Sequence, residues 1–296
     1  MLGDLTDFKD KHSSILTNRI VNIFSELAKL CDVVILKGNH DFIQSEEPFF
    51  EFLEKIKGIT YINKPFVYDV PGDAPELFLP HTKTPREDWK KFDLNKYTHV
   101  FMHQCVIGSV GANSFEMEHG LDPKYFQNKK CKVISGDIHV PQVVLSEGKP
   151  VVEYVGTPYP VSFGDHYKGR CIFIEEDGSF HNQYLPTIQK KSIEICNPDS
   201  LRFQRVFPGD QISVKLKLSS EDYCEWLNYK KKVQDWAKEK GVLLSSVTLN
   251  SGKSQKTDAP SQTTKSSLSC PKEAILAYAH KEKVSKEIIE EGLKLI

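Results

Sequence analysis

The chain of 296 residues carries 39 basic and 40 acidic side chains, and its formal charge of −1 excludes a protein that grips nucleic acid mainly through its overall field. With 39% hydrophobic and 27% charged residues, it has enough apolar material for one sizeable domain and a smaller one. No apolar run approaches the roughly eighteen residues of a membrane span. The first residues do not read as a signal peptide, and seven cysteines without a Cys-x-x-Cys pair fit reduced thiols in a cytoplasm. Cys31, Cys131 and Cys171 adjoin apolar strand-like residues and are expected to pack rather than react.

In chain order, Leu16, Ile20, Phe24 and Leu27 recur at helical spacing within 14–30, and Val33-Val34-Ile35-Leu36 follows as a strand. Residues 46–57 repeat the helical pattern with Phe49, Phe50, Phe52, Leu53 and Ile56, and Gly58 ends it. Strand-like runs come at 60–62, 66–68 and 77–79, then a helical stretch near 86–92. Apolar strands near 100–102 and 133–134 precede two hairpins. One pairs 143–145 with 151–155 around Glu147-Gly148, the other 171–174 with 180–184 around Asp177-Gly178. From about Lys190 the pattern changes to strand (212–218), charged helix (221–240, with Trp226, Leu227, Val233 and Trp236) and strand (242–249). The expected class is α/β, with two stacked sheets flanked by helices.

Residues 251–269 are rich in Ser, Thr, Lys and Gln and read as a flexible linker. Pro271 then opens a helix carrying Ile275, Leu276, Tyr278 and Ala279. A second segment carries Ile288, Ile289, Leu293 and Ile296. Short helices behind a linker are marginal in water and need a surface to cover their apolar faces, a partner's or the chain's own.

The chemistry lies in four short blocks: Gly3-Asp4-Leu5-Thr6-Asp7, Gly38-Asn39-His40-Asp41, His103-Gln104 and Gly136-Asp137-Ile138-His139. The last three follow apolar strands. Ligands on the loops where strands finish are how a site is built at one end of a sheet. Mixed oxygen and nitrogen donors of this kind suit two divalent ions and phosphoester hydrolysis. For His12, His99, His166, His181 and His280 a structural role is expected, while His81 and His119 stay open. Lys129-Lys130-Cys131-Lys132 and Lys230-Lys231-Lys232 are the local basic runs, read first as solvated faces. Tyr159, Phe163 and Tyr167 could stack on bases, with core packing the expected role of Phe163.

In these blocks and their order the chain resembles the calcineurin-like metallophosphoesterases. Pro141-Gln142, Gly156-Thr157-Pro158 and Ser162-Phe163-Gly164-Asp165 resemble, within them, the SbcD-type nuclease subunits, phage relatives included. The resemblance implies a four-layer metallophosphoesterase fold over 1–189, a capping domain over 190–250, the linker, and partner-binding helices over 270–296. It implies two divalent ions, most readily Mn2+ with Mg2+ or Fe2+ as alternatives. Asp4 would bridge them roughly 3.5–4 Å apart. Asn39, His103 and Asp137 would complete one ion and His139 would serve the other. His40 would be the acid that protonates the leaving oxygen, Asp41 would orient it, and Asp7 would stand behind the ligands.

Two departures from the family pattern modify these expectations. An Asp-x-His block that in the family stands before the Gly-Asp-x-x-Asp block has no counterpart here, so the second ion should bind poorly. The loop of Asp4 should also lack a ladder to fix it, as in a fragment or a chain completed by another coding segment. Asp137 stands where the family usually has histidine, which makes the site harder and more anionic. The implied function is metal-dependent hydrolysis of DNA phosphodiesters, exo- or endonucleolytic, in a recombination and repair complex with an SbcC-type ATPase. That places it in the cytoplasm of a bacterial or phage-infected cell, without membrane, with a homodimer as one option. Alternatives are a phosphatase or nucleotide phosphodiesterase on the same scaffold, and a catalytically impaired subunit that only docks the ATPase.

Overall fold

A computed structural model describes residues 1–249 apart from 10, 43–46, 71, 73, 112–113, 166 and 220–221. The linker and the helix pair expected beyond 250, like His166 and His280, lie outside the described residues. Met1–Ser251 form one compact unit.

Helix α1 (Ser14–Leu27) starts where the Ser13 hydroxyl accepts the Leu16 amide, a side-chain cap. Its apolar stripe buries Ile20 and Phe24 with Val33 and Ile35 of β1 (Val33–Leu36) and Ile59 and Tyr61 of β2 (Ile59–Ile62). The two strands are parallel. Between them the α-helix expected over 46–57 is instead a 3-10 helix at Phe49–Lys55. The tighter winding eclipses positions three apart, which puts Phe50 and Leu53 together in the core and turns Phe52 outward.

The central sheet has six strands in the order β3 (Phe66–Tyr68), β4 (Glu76–Leu79), β5 (His99–His103), β6 (Lys132–Gly136), β8 (Lys149–Tyr154) and β7 (Gln142–Ser146). The inner four are parallel and the two edge strands antiparallel. The inner strands therefore finish on one rim, with Leu79 beside Met102 and His103 beside Gly136. The helical stretch expected at 86–92 is one turn, α2 (Pro85–Asp88). Trp89 leaves the helical path because its side chain is drawn wholly into the core beneath β4 and β5. The β7–β8 hairpin turns on Glu147 and Gly148, both at positive φ as a primed two-residue turn requires. Strands β9 (Arg170–Ile174) and β10 (Phe180–Tyr184) form the second expected hairpin.

A further sheet is entirely parallel: β11 (Lys190–Ile195), β12 (Gln211–Leu216) and β13 (Leu243–Leu249). Strand β11 was not singled out by the sequence pattern. Helix α3 (Trp226–Lys240) ends at Gly241, φ +65°, and packs Val233, Trp236 and Ala237 onto Ile212, Val214 and Leu216. Among the described residues the protein is therefore mixed α/β with few helices, its six-stranded sheet separate from the β1–β2 pair. Cys131 packs against the main core as expected, but Cys31 is exposed in the turn after α1 beside the exposed Leu30, and Cys171 is on the exposed face of β9, alternating with Ile172.

Asp210 ties this last sheet together. Its buried carboxylate accepts the Gln189 amide (2.9 Å), the Phe207 amide (3.0 Å) and the Lys191 ammonium (2.9 Å). Burial acts to raise its pKa, but these donors hold it below the usual carboxylate range. Asp210→Ala should cost about 2–3 kcal/mol by stranding two amides and an ammonium. A depressed native pKa gives stability that is complete above the unfolded value of about 3.9 and lost as pH falls through the lower native one. Urea unfolding followed by tryptophan fluorescence should show the gap between wild type and variant at pH 6 and above, and its closure under acid. A gap that persists undiminished under acid would remove the charge from this account.

Candidate metal centre

Two loops and two strand ends supply the site. The first carries Gly3-Asp4, the second follows β1 with Gly38-Asn39-His40-Asp41, and the rim of the central sheet gives His103 at the end of β5 and Asp137 just past β6. The expectation that the first loop lacks a ladder does not hold. The Leu36 amide donates to the Met1 carbonyl (2.9 Å) and the Met1 amino group to the Val34 carbonyl (2.7 Å), so the opening residues run along β1.

Asp41 does the rest. Its wholly buried carboxylate accepts the amides of Gly38 (2.7 Å), Asp4 (2.9 Å) and Leu5 (3.1 Å), clamping the first loop to the second. Burial pushes its carboxyl up while the Gly38 amide, first among the donors, opposes that. Neither oxygen reaches the His40 ring, so the expectation that Asp41 orients His40 is corrected. That task falls to Asp7: its carbonyl accepts the His40 Nδ1–H at 2.7 Å, and its carboxylate lies 3.7 Å away. The His40 amide in turn donates to Asp4 Oδ1 (2.8 Å).

Crowding explains the glycines. A Cβ on Gly38 would sit 2.1 Å from Asp4 Oδ1, and one on Gly136 would sit 2.1 Å from the Leu2 carbonyl. The loops approach each other backbone to backbone, which only glycine permits. Asp4 and Asp137 themselves hold positive φ, +52° and +83°. Two carboxylates in the left-handed region at one spot is the kind of strain that gathers at functional sites.

His103 donates from Nδ1 to the Leu2 carbonyl (2.5 Å), which leaves Nε2 facing the site. Around Nε2 stand Asn39 Oδ1 at 3.0 Å, Asp4 Oδ2 at 3.3 Å and Asp137 Oδ1 at 3.7 Å. Ligand atoms of Asp4, His103 and Asp137 lie within 4.8 Å of one another. The Asn39 oxygen faces acceptors only. Turned over, its amide nitrogen would donate to both Asp4 oxygens (2.9 and 3.2 Å) and to His103 Nε2. Lone pairs that converge on one point need a proton or a cation between them. Adjacent ligands on an octahedral ion with bonds of about 2.1 Å lie about 3 Å apart, so this donor set fits a small divalent ion.

The charges follow the same geometry. Burial acts to raise Asp4, but the His103 bond and the His40 amide hold it below its ordinary value. Burial opposes a charged His103, yet Asp4, Asp137 and the Leu2 carbonyl push its pKa up. Asp137 is raised, first by burial, against the pull of His103.

His139 is exposed and stands apart from the grouped ligand atoms, its carbonyl accepting the Thr157 amide (2.9 Å). His81, left open by the sequence, is at the rim. Its ring centroid is 6.1 Å from that of His103, and burial, then the His103 charge, pushes its pKa down to about 4. It follows β4 as His103 closes β5, a strand-end signal that was available. His119 is exposed, and His99 is buried with Glu76 at 3.1 Å. Gln142 grips the Val110 backbone at both its amide (2.7 Å) and carbonyl (2.6 Å), and Asp165 accepts the amides of Val161 and Ser162. The Lys132 ammonium lies 4.4 Å over the Phe180 ring, and Tyr159 is exposed while Phe163 is half-buried.

Among the described residues no helix is long and apolar enough to cross a membrane. No model of a known protein family matches the chain and no curated protein matches it.

Proposed function

We propose that this protein is a metal-dependent phosphodiesterase of the metallophosphoesterase kind, a DNA nuclease subunit of the SbcD type. The observation that carries the proposal is the convergence of Asp4, Asn39, His103 and Asp137 on one point. Those four residues would hold a divalent ion, most readily Mn2+, with Mg2+ or Fe2+ as alternatives. When bound, such an ion neutralises charge on phosphoryl oxygens and lowers the pKa of water. A second ion would share Asp4 and take His139, with fewer ligands and weaker affinity.

The chain's own residues do the rest. Asp41 keeps the two loops in register so that Asp4 and Asn39 address the same point. The Leu2 carbonyl fixes the His103 tautomer, as partners of ligating histidines commonly do. His40 has Nδ1–H committed to Asp7 and its other nitrogen available. With Nδ1 held by the Asp7 carbonyl, a proton on Nε2 can be given to the leaving oxygen.

The DNA substrate, a capping role for β11–β13 with α3, and docking of an SbcC-type ATPase by residues 270–296 belong to the same proposal. So do a cytoplasmic setting and homodimerisation. The test is hydrolysis of a small phosphodiester and of linear DNA by the protein with added Mn2+, against the same protein in chelator. Cleavage of both, abolished by chelator, is expected. A strong preference for phosphomonoesters would favour the phosphatase reading, and no manganese binding at all would overturn the metal centre.

A further inference from the structure

Next to the metal centre lies a cleft of about 600 Å³ that the chemistry above does not use. It is bounded by the end of β1, the turn after β2, the segment after β4 and the chain just past α2. Lys37, Lys64, Lys83 and Lys91 line it against a single carboxylate, Asp88. That carboxylate is already occupied, accepting the hydroxyls of Thr82 and of Thr84, the latter at 3.0 Å. Lys64, Lys83 and Lys91 alone outnumber the acid, and the acid is turned to other donors.

Three of the lining residues differ from ordinary surface groups. Lys37 is only 5% exposed, its ammonium held below the surface 4.8 Å over the Phe42 ring. Trp89 is fully buried, and its indole N–H has no hydrogen-bond partner among the described residues. His81 Nδ1, in the same wall, is also without one. Buried polar atoms without partners are rare and call for an explanation. Cationic groups together with an indole donor, on a wall of limited apolar character, suit a compact anion with several acceptor oxygens.

The position of the cleft narrows the choice. His81 forms its wall on one side, and on the other its ring meets that of the candidate ligand His103 at 6.1 Å. An anion in the cleft and a group at the metal centre would be neighbours on one ligand. We propose that the cleft seats a second phosphate group, the one adjacent to the phosphate that reacts at the metal centre. Which phosphate it is rests on the phosphodiesterase proposal; that the cleft takes phosphate does not. The ligand is then a molecule with phosphates in series, either a nucleic-acid strand or a nucleotide polyphosphate.

The experiment is done without metal so that the two proposals can fail separately. The full chain in chelator is titrated with inorganic pyrophosphate, with a short 5′-phosphorylated oligodeoxynucleotide and with citrate. The indole N–H resonances are followed by 15N NMR, and Trp89→Phe identifies the Trp89 signal. Saturable movement of that signal with both phosphate ligands is expected, with those of Trp226 and Trp236 unmoved. Lys83→Ala with Lys91→Ala, both exposed positions, should weaken binding roughly tenfold without unfolding the protein. Tighter binding of the oligonucleotide assigns the ligand as a strand, and tighter binding of pyrophosphate assigns a nucleotide polyphosphate. No movement of the Trp89 signal, equal response to citrate, or indifference to the lysine pair would overturn the phosphate site. Loss of manganese binding alone would leave it standing.

Discussion

Asp4→Ala should abolish tight manganese binding and with it metal-dependent phosphodiester cleavage. Asp4 offers carboxylate oxygens to the point shared with His103, Asn39 and Asp137, and no other described residue stands where it could replace them. Removing a group that merely supports a metal ligand costs about 10–100-fold in affinity. Removing a ligand should cost more than that by titration calorimetry. The fold should survive, since among the described residues the Asp4 side chain accepts the His40 amide, the His103 ring and the turned-over Asn39 amide, while Asp41 holds the loop by its backbone. Thermal unfolding of the metal-free variant close to that of metal-free wild type is therefore part of the expected result. Manganese affinity unchanged in Asp4→Ala would remove Asp4 from the site.

His40→Ala separates chemistry from metal binding. Its ring is bonded to the Asp7 carbonyl and is not among the grouped ligand atoms. Turnover of a diester with a poor leaving group should fall by about 10²–10⁴, the usual contribution of a general acid. A diester with a nitrophenolate leaving group, which departs without a proton, should be affected far less. Manganese affinity should be nearly unchanged. A variant that loses its metal, or cleaves both substrates at wild-type rates, would show that His40 is not the acid.

Much of this site was legible in the sequence because its donors sit at strand ends. Val33–Leu36 and the apolar runs before His103 and Asp137 announce strands, and a polar residue directly after a buried strand has few places to go but the rim. The division of labour between His40 and Asp41 was not legible. Adjacent residues in a loop suggest that one orients the other, whereas backbone amides brought in from Gly38, Asp4 and Leu5 claim the Asp41 carboxylate. The role of His81, open in the sequence, and that of Trp89 were not legible for a similar reason. Nothing in a local pattern says that a strand-end histidine will face a second histidine, or that a tryptophan after a one-turn helix will be buried without a partner.

By itself the sequence determined the α/β alternation, the hairpins at Glu147-Gly148 and Asp177-Gly178, and which residues could act as ligands. Those follow from periodicity, turn chemistry and donor type, all of which are local. Only the tertiary structure decided that the residues at 49–55 wind as a 3-10 helix, since the core demands Phe50 and Leu53 on one face. It alone brought Asp4, Asn39, His103 and Asp137 to one point and left His139 aside. Parallel strands in register place Asp137 and His103 on neighbouring strand ends, and glycines at 3, 38 and 136 let three backbones meet where any side chain would hold them apart.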